Sequence, residues 1–297
     1  MSDTYAQALR DAAERLRAAG VPSPEWDARI LAAHLIHTGH MDIPLADAPI
    51  PGFDLAFGAL IERRAAREPL QHILGVAWFG PLELEVGPGV FIPRPETEVL
   101  ADWAVQRLCG MERANAGGIG GTAETAGNAG GPRVVDLCAG SGALAAYIAH
   151  ACPAARVTAV ELSDAALAYT RRNCAPLGVE VVRGDATAAG LLPALHGHVD
   201  LLVTNPPYVP ETGDLDPEVY ADPHMAVFGG ADGMAVIEQM IPTIAALCRP
   251  GAPVGIEHDD ETSDLVQAAL IADGRFRDVA VLRDLTGTAR FVTAVRA

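Results

Sequence analysis

Apolar residues recur at helical spacing from the start of the chain. Tyr5, Leu9, Ala12 and Leu16 share one face, and the pattern stops at Gly20, a residue suited to the position just past a helix end. Ser23 as N-cap and Pro24 at the first helical position predict a second helix, with a face running through Trp26, Ile30, Ala33 and His37 toward Gly39. A third run, from Phe53 to about Arg67, groups Phe53, Phe57, Leu60 and Ile61, with Arg63 and Arg64 expected on a solvated face. Residues 1–70 therefore read as a small helical domain.

The period then shortens. His72 to Phe79 and Leu82 to Val86 are β-type runs around Gly80-Pro81, which predicts a hairpin and makes 71–95 a connector. Helical spacing returns over Glu96 to Leu108. Seven of the 21 residues from 111 to 131 are glycine, which reads as a flexible insertion carrying no chemistry. Strands are predicted at 133–137, 156–160, 180–183 and 199–204, with helices at 143–150 and 164–174 between the first three. Helices at 231–247 and 261–271 flank a strand at 253–256, and strands at 279–282 and 290–295 close the chain as an antiparallel pair around Gly287. Strand and helix in alternation predict an α/β fold, a parallel sheet with helices on both faces.

Composition narrows the chemistry. All 21 basic side chains are Arg against 38 acids, a formal charge of −17, and there is no Lys. This excludes Schiff-base and Walker A chemistry, which use the ammonium group. The acid excess argues against holding duplex nucleic acid over many phosphates. Residues 1–80 carry 7 bases and 10 acids, so 14 of the 17 net negative charges lie beyond them. Residues 1–10 show no signal-peptide pattern, and the most apolar stretch, 143–160, is interrupted by His150, Pro153 and Arg156. Five widely spaced cysteines without Cys-x-x-Cys suit reduced thiols, so a soluble, cytoplasmic protein is expected.

Two motifs carry chemistry. The strand Val134-Val135-Asp136-Leu137 runs into Cys138-Ala139-Gly140-Ser141-Gly142 before a helix, a turn that lets a ligand approach the backbone at a helix N-terminus. Glu161 ends the next strand, where a carboxylate can accept from both hydroxyls of a ribose. A nucleoside ligand follows; Gly140-x-Gly142-x-x-Ala145 leaves NAD and S-adenosylmethionine both open. The second motif, Asn205-Pro206-Pro207-Tyr208, follows directly on a strand and so lies at the carboxyl end of the sheet. Methylating an amide or exocyclic amine requires its two hydrogens to be held while the nitrogen faces the methyl. The Asn205 side-chain oxygen and the Pro206 carbonyl can each accept one N–H, and Tyr208 can stack on the planar group. Orientation is then the main catalytic task, with no strong base needed.

Val135-Asp136-Leu137, Gly140-Ser141-Gly142, Glu161, Gly184-Asp185 and Asn205 to Tyr208 together resemble the class I S-adenosylmethionine-dependent methyltransferases of planar nitrogens. More narrowly, Phe91-Ile92-Pro93-Arg94-Pro95-Glu96-Thr97-Glu98, preceded by Gln71 to Gly75 and closed by Arg283-Asp284-Leu285-x-Gly287-x-x-Arg290, resembles the peptide chain release factor N5-glutamine methyltransferases, over residues 5–297 or so. The resemblance implies a seven-stranded Rossmann-like sheet over 96–297, a partner-recognising helical domain over 1–70 and a hairpin between them. It implies methyl transfer from S-adenosylmethionine to the glutamine of the Gly-Gly-Gln motif in release factors; the hydropathy and the acid excess lead us to expect no membrane and no specific nucleic-acid partner. Asp136, Cys138, Ala139, Gly140, Ser141, Gly142, Glu161, Asp185, Ala186 and Asn205 are then expected at the cofactor. Asn205, Pro206, Pro207 and Tyr208 are expected at the glutamine, with Phe91 and Arg94; Asn205, Pro206 and Tyr208 are the expected catalytic groups. Two positions depart from the family pattern: Ala186 stands where many relatives carry an aromatic, and Asp222-Pro223-His224 replaces a Glu-Pro-Arg stretch.

Other readings share these motifs: a ribosomal-protein glutamine methyltransferase, an adenine N6 methyltransferase, and a non-catalytic or nicotinamide-binding module. His34, His37 and His40, and His258-Asp259-Asp260-Glu261, suggest metal sites. They read better as incidental histidines on an amphipathic helix and as acids complementing a helix start.

Overall fold

A computed structural model describes residues 2–117, 130–211, 215 and 217–297. Backbone contacts divide the chain into two units, residues 1–76 with 215–221 and residues 77–214 with 222–297. The segment 71–95 is therefore shared between the two units.

In the first unit, α1 (Tyr5–Ala18), α2 (Pro24–Ile36) and α3 (Phe53–Ala65) surround Tyr5, Leu16, Leu31, Phe53, Phe57 and Ile61. Thr4 caps α1, its hydroxyl accepting from the Gln7 N–H at 3.2 Å. Three expectations change here. The inward face of α2 is Ala28, Leu31 and Ala32 with Asp27, whereas Trp26 is half exposed beside His40, and Ser23 makes no side-chain cap bond. Arg64 is not solvated. It is buried, donating to Asp27 at 2.7 Å and pairing with Glu218 at 2.9 Å. Burial raises the Asp27 pKa even with Arg64 beside it, and stranding either charge would cost about 3–5 kcal/mol. Hydrophobic periodicity cannot register a core face that carries an ion pair. Finally, His72 and Ile73 lie in a helical turn, α4 (Leu70–Leu74), closed by Gly75 at φ 77°. The glycine lets the chain reverse there into a strand.

In the second unit the hairpin is β1 (Val76–Phe79) and β2 (Leu82–Glu85). Helix α5 (Glu98–Gly117) follows and outruns its predicted end at Leu108; the rest of the glycine-rich 111–131 segment lies mostly outside the described residues. The sheet contains β3 (Arg133–Leu137), β4 (Arg156–Glu161), β5 (Glu180–Arg183), β6 (Leu201–Thr204), β7 (Pro253–Glu257), β8 (Phe276–Arg283) and β9 (Ala289–Arg296) in the order β5-β4-β3-β6-β7-β9-β8. The five strands β3 to β7 run parallel, and β9 lies antiparallel to both β7 and β8. Alternate strand residues feed two cores. Val134, Leu201 and Val203 pack with α5 and α6 (Ala143–Ala151), whereas Val135, Leu137, Leu202 and Val254 pack with α9 (Ala235–Leu247) and α10 (Ser263–Asp273). Burial on both faces is why these strands read as continuous apolar runs. The remaining helices are α7 (Asp164–Cys174) and the short α8 (His224–Val227). The chain winds from β3 outward through β4 and β5, then returns to β6 on the other side of β3. That reversal opens a crevice at the carboxyl ends of β3 and β6.

Candidate active site

A cavity of about 390 Å³ occupies this crevice. Its floor is the turn after β3. Cys138 (φ 59°), Gly140 (φ 56°) and Gly142 (φ 85°) all take the left-handed conformation, and the cysteine does so at a cost that glycine would avoid. A Cβ on Gly142 would meet Cys174 Sγ at 2.8 Å, so this glycine is needed for packing, whereas the Cβ position of Gly140 is open. The Gly140 and Ser141 carbonyls are held from α7, by the Thr170 hydroxyl at 2.7 Å and the Asn173 amide at 2.8 Å.

Two carboxylates face this floor differently. Glu161 accepts from the Gly140 N–H at 2.8 Å and from the Ser163 N–H at 2.7 Å, so it is already aimed when a ligand arrives. Asp136 accepts from the Ala145 N–H at 3.1 Å through one oxygen, while its buried Oδ1 has no partner. Burial, with the nearby Glu161 charge, pushes Asp136 up to about 8. Cys138 lines the cavity as a neutral thiol, its pKa driven far upward by burial, with Met240 Sδ 4.0 Å from its sulfur. Asp185 is tied into its own turn by the Thr187 N–H and hydroxyl, and Ala186 is buried on the wall near Leu162.

Asn205 stands opposite, at the end of β6. Its Nδ2 donates to the Thr97 hydroxyl at 3.3 Å, which leaves Oδ1 as the acceptor. Pro207, Thr97, Phe91 and Pro93 share this wall. Pro206 is buried, and Tyr208 is half-buried, donating to Glu257 at 3.0 Å. The structure thus brings Asp136, Cys138, Ala139, Gly140, Ser141, Glu161, Asp185, Ala186, Asn205, Pro207 and Phe91 to one cavity. Gly142, Tyr208 and Arg94 are not among the residues that line it, and the buried Pro206 sits between two that do, Asn205 and Pro207. The Arg94 guanidinium is engaged by Asp222 at 2.5 Å and lies over the Phe91 ring at 4.9 Å. Asp222 also accepts from the Ile92 N–H at 3.2 Å, so the pair clamps the wall on which Phe91, Pro93 and Pro223 sit.

Several contributors were not singled out from sequence. Thr97, quoted only within a motif, Asp222, noted only as a departure from the family pattern, and Glu257 act over long chain separations. The turn Phe228 to Met234 carries a local signal, Gly229, Gly230 and Gly233. A Cβ on Gly229 would meet the Pro207 carbonyl at 2.6 Å, and one on Gly233 the Tyr208 carbonyl at 2.1 Å, so this turn backs the Asn-Pro-Pro-Tyr segment directly. Backbone bonds Val209 N–H to Val227 and Gly229 N–H to Val209, both 2.9 Å, fasten the two.

Residues 7–75 match the family described as the PrmC N-terminal domain, and residues 124–220 the methyltransferase small domain. The release factor glutamine methyltransferase of Corynebacterium glutamicum is 53% identical over 98% of each chain. That of Mycolicibacterium smegmatis is 48% identical over 97% of this chain and 96% of its own. A 4-amino-L-phenylalanine/4-methylamino-L-phenylalanine methyltransferase of Streptomyces pristinaespiralis is 40% identical over 92% and 89%.

Proposed function

Since the chain belongs to the release factor glutamine methyltransferase family, we propose that this cavity methylates the side-chain amide nitrogen of the glutamine in the Gly-Gly-Gln motif of peptide chain release factors. The enzyme is S-adenosylmethionine-dependent, and its residues suit that cofactor. The preset Glu161 carboxylate matches two ribose hydroxyls, the partnerless Asp136 Oδ1 matches a cationic amino group, and Ala186 and Leu162 offer apolar walls to a purine. Ala186 supplies no ring for stacking, so shape and apolar contact carry adenine recognition there.

When bound, S-adenosylmethionine supplies an electrophilic methyl on a sulfonium. The protein's contribution is orientation. Asn205 Oδ1 accepts one N–H of the glutamine amide and the Pro206 carbonyl the other, which turns the nitrogen toward the methyl. Two consecutive prolines fix this backbone and remove competing N–H donors. Tyr208, with its hydroxyl anchored, supports the turn from behind, and Phe91 and Pro93 exclude water. The Asp222-bound Arg94 acts by holding that wall.

The observation that carries this reading is the place of Asn205 on the cavity wall just past β6, with its amide NH₂ donating to the Thr97 hydroxyl and Oδ1 as its acceptor. Among the described residues no helix is long and apolar enough to cross a membrane, and all five cysteines are free. Our reading places the reaction in the cytoplasm, with the release factor as protein partner and no specific nucleic-acid contact. Asn205→Ala tests the site. Methyl transfer to a release factor is expected to fall by about two orders of magnitude or more, as for loss of a key orienting group, with S-adenosylhomocysteine affinity within about threefold. Turnover close to wild type would refute the assignment.

A further inference from the structure

The chain that leaves Asn205-Pro-Pro-Tyr does not stay with the sheet. Residues 215–221 belong to the first unit, whereas Asp222 and the residues after it rejoin the second. Glu218 holds this excursion in place. Its Oε1 pairs with Arg64 Nη2 at 2.9 Å and with Arg67 Nε and Nη2 at 3.0 and 2.9 Å. The Arg64 side chain, 5% exposed, is aimed by Asp27 at 2.7 Å and by the Glu68 carbonyl at 3.0 Å. Arg67 is the second residue past α3 and stands at φ 66°, a left-handed position where glycine is the usual residue. The chain accepts that strain and brings a second guanidinium to the same oxygen. A carboxylate held by two guanidiniums shielded from water is fixed far better than an ordinary surface ion pair.

The way back is short. The Glu218 carbonyl accepts from the Ala221 N–H at 3.2 Å, closing a single turn. The next residue is Asp222, whose fully enclosed carboxylate is bound by Arg94 at 2.5 Å and by the Ile92 N–H at 3.2 Å. Two anchored carboxylates thus stand four residues apart, at most about 14 Å of chain. Immediately beyond them Pro223, Met225, Ala226 and Phe228 line the cavity, and the Val227 carbonyl and Gly229 N–H bond to Val209, next to Tyr208. So little chain separates Glu218 from this wall that releasing the one loosens the other.

We propose that Glu218 is a positioning residue for methyl transfer: gripped by Arg64 and Arg67, it fixes the cavity wall from Pro223 to Phe228 and, through Val209, the shape of Asn205-Pro-Pro-Tyr. The two arginines lie in the helical unit, so the state of α3 is passed to the catalytic motif along the chain itself. The inference rests on the methyltransferase reading for its effect on turnover, but the hold on the wall is a property of this chain alone.

Two substitutions test it without stranding a buried charge. Arg67→Gln removes the Arg67 contacts to Oε1, and Glu218→Gln keeps the side-chain volume; in both, Arg64 retains Asp27. In each, kcat with a release factor is expected to fall about fivefold or more, and hydrogen exchange at the Val209 and Gly229 amides to quicken about tenfold or more, with the amides of β3 and β6 unchanged. Arg63→Gln, which breaks only the outer pair with Glu68, is expected to leave turnover and exchange as they are. Exchange at Val209 and Gly229 unmoved, or quickened equally in β3 and β6, would overturn the proposal. So would a higher KM for the release factor at unchanged kcat, which would mean that Glu218 serves docking alone. Absence of transfer by the wild-type enzyme would instead count against the substrate reading, and the exchange rates would still decide the hold on the wall.

Discussion

Asp136 illustrates how single residues are held at a cost for function. Burial raises its pKa to about 8, Glu257 to about 7 and Asp222 to about 6, all above ordinary carboxylate values. A carboxyl whose folded pKa exceeds its unfolded one contributes most below the unfolded value, and that contribution is lost as pH rises through the folded value. The cofactor-free protein is therefore expected to lose stability between about pH 5 and pH 8.5, a window above the unfolded carboxylate range. Asp136→Asn keeps the acceptor for the Ala145 N–H and removes one ionisation. Urea midpoints at the two ends of the window should show a smaller decline in this variant than in wild type; an identical decline would contradict the assignment. At this scale the sequence was partly legible. Glu161 and Asn205 stand out because each directly follows an apolar strand run, and the strand end is where ligands bind. Asp27 with Arg64, Arg94 with Asp222 and Glu257 with Tyr208 are pairs made by tertiary structure, 37, 128 and 49 residues apart. No local pattern announces them.

Among the elements, the turn Phe228 to Met234 decides whether the Asn-Pro-Pro-Tyr segment has a fixed shape. Gly233 combines φ 79° with a Cβ position 2.1 Å from the Tyr208 carbonyl oxygen. Gly233→Ala adds left-handed strain to a backbone overlap, together about 2–5 kcal/mol. Melting temperature and methyl transfer should both drop, whereas Gly52→Ala, at φ 85° with open space around its Cβ, should cost only the strain. Equal effects from the two substitutions would show that the turn does not support the site. Most strands and helices of the sheet were legible to within two residues, since burial on both faces leaves unbroken apolar runs between glycine and proline breaks; β8 begins three residues before its predicted start, and α9 four residues after. The failures, at α2 and α4, are physical. One helix buries an ion pair along with small alanines, and the other is a single turn, too short for a period to show.

At the scale of the whole molecule, an acidic chain without Lys carries out a reaction that needs neither a lysine nor a strong base. Orientation suffices, and the fold supplies it by bringing β3 and β6 together at the point where the chain reverses direction across the sheet. With 14 of the 17 net negative charges beyond residue 80, the charge lies mostly on the catalytic side of the sequence, which suits a protein partner of opposite charge better than a polynucleotide. The relative that acts on 4-amino-L-phenylalanine shows a related sequence serving an aromatic amine, another planar nitrogen, so the identity of the acceptor is the central claim. The most direct measurement is transfer of labelled methyl from S-adenosylmethionine to a purified release factor and to its Gly-Gly-Gln variant with Gln→Ala, with ribosomal protein and 4-amino-L-phenylalanine as competing acceptors. The account predicts label on the release factor alone and none on the variant. Equal labelling of the variant, or label passing preferentially to either competitor, would contradict it.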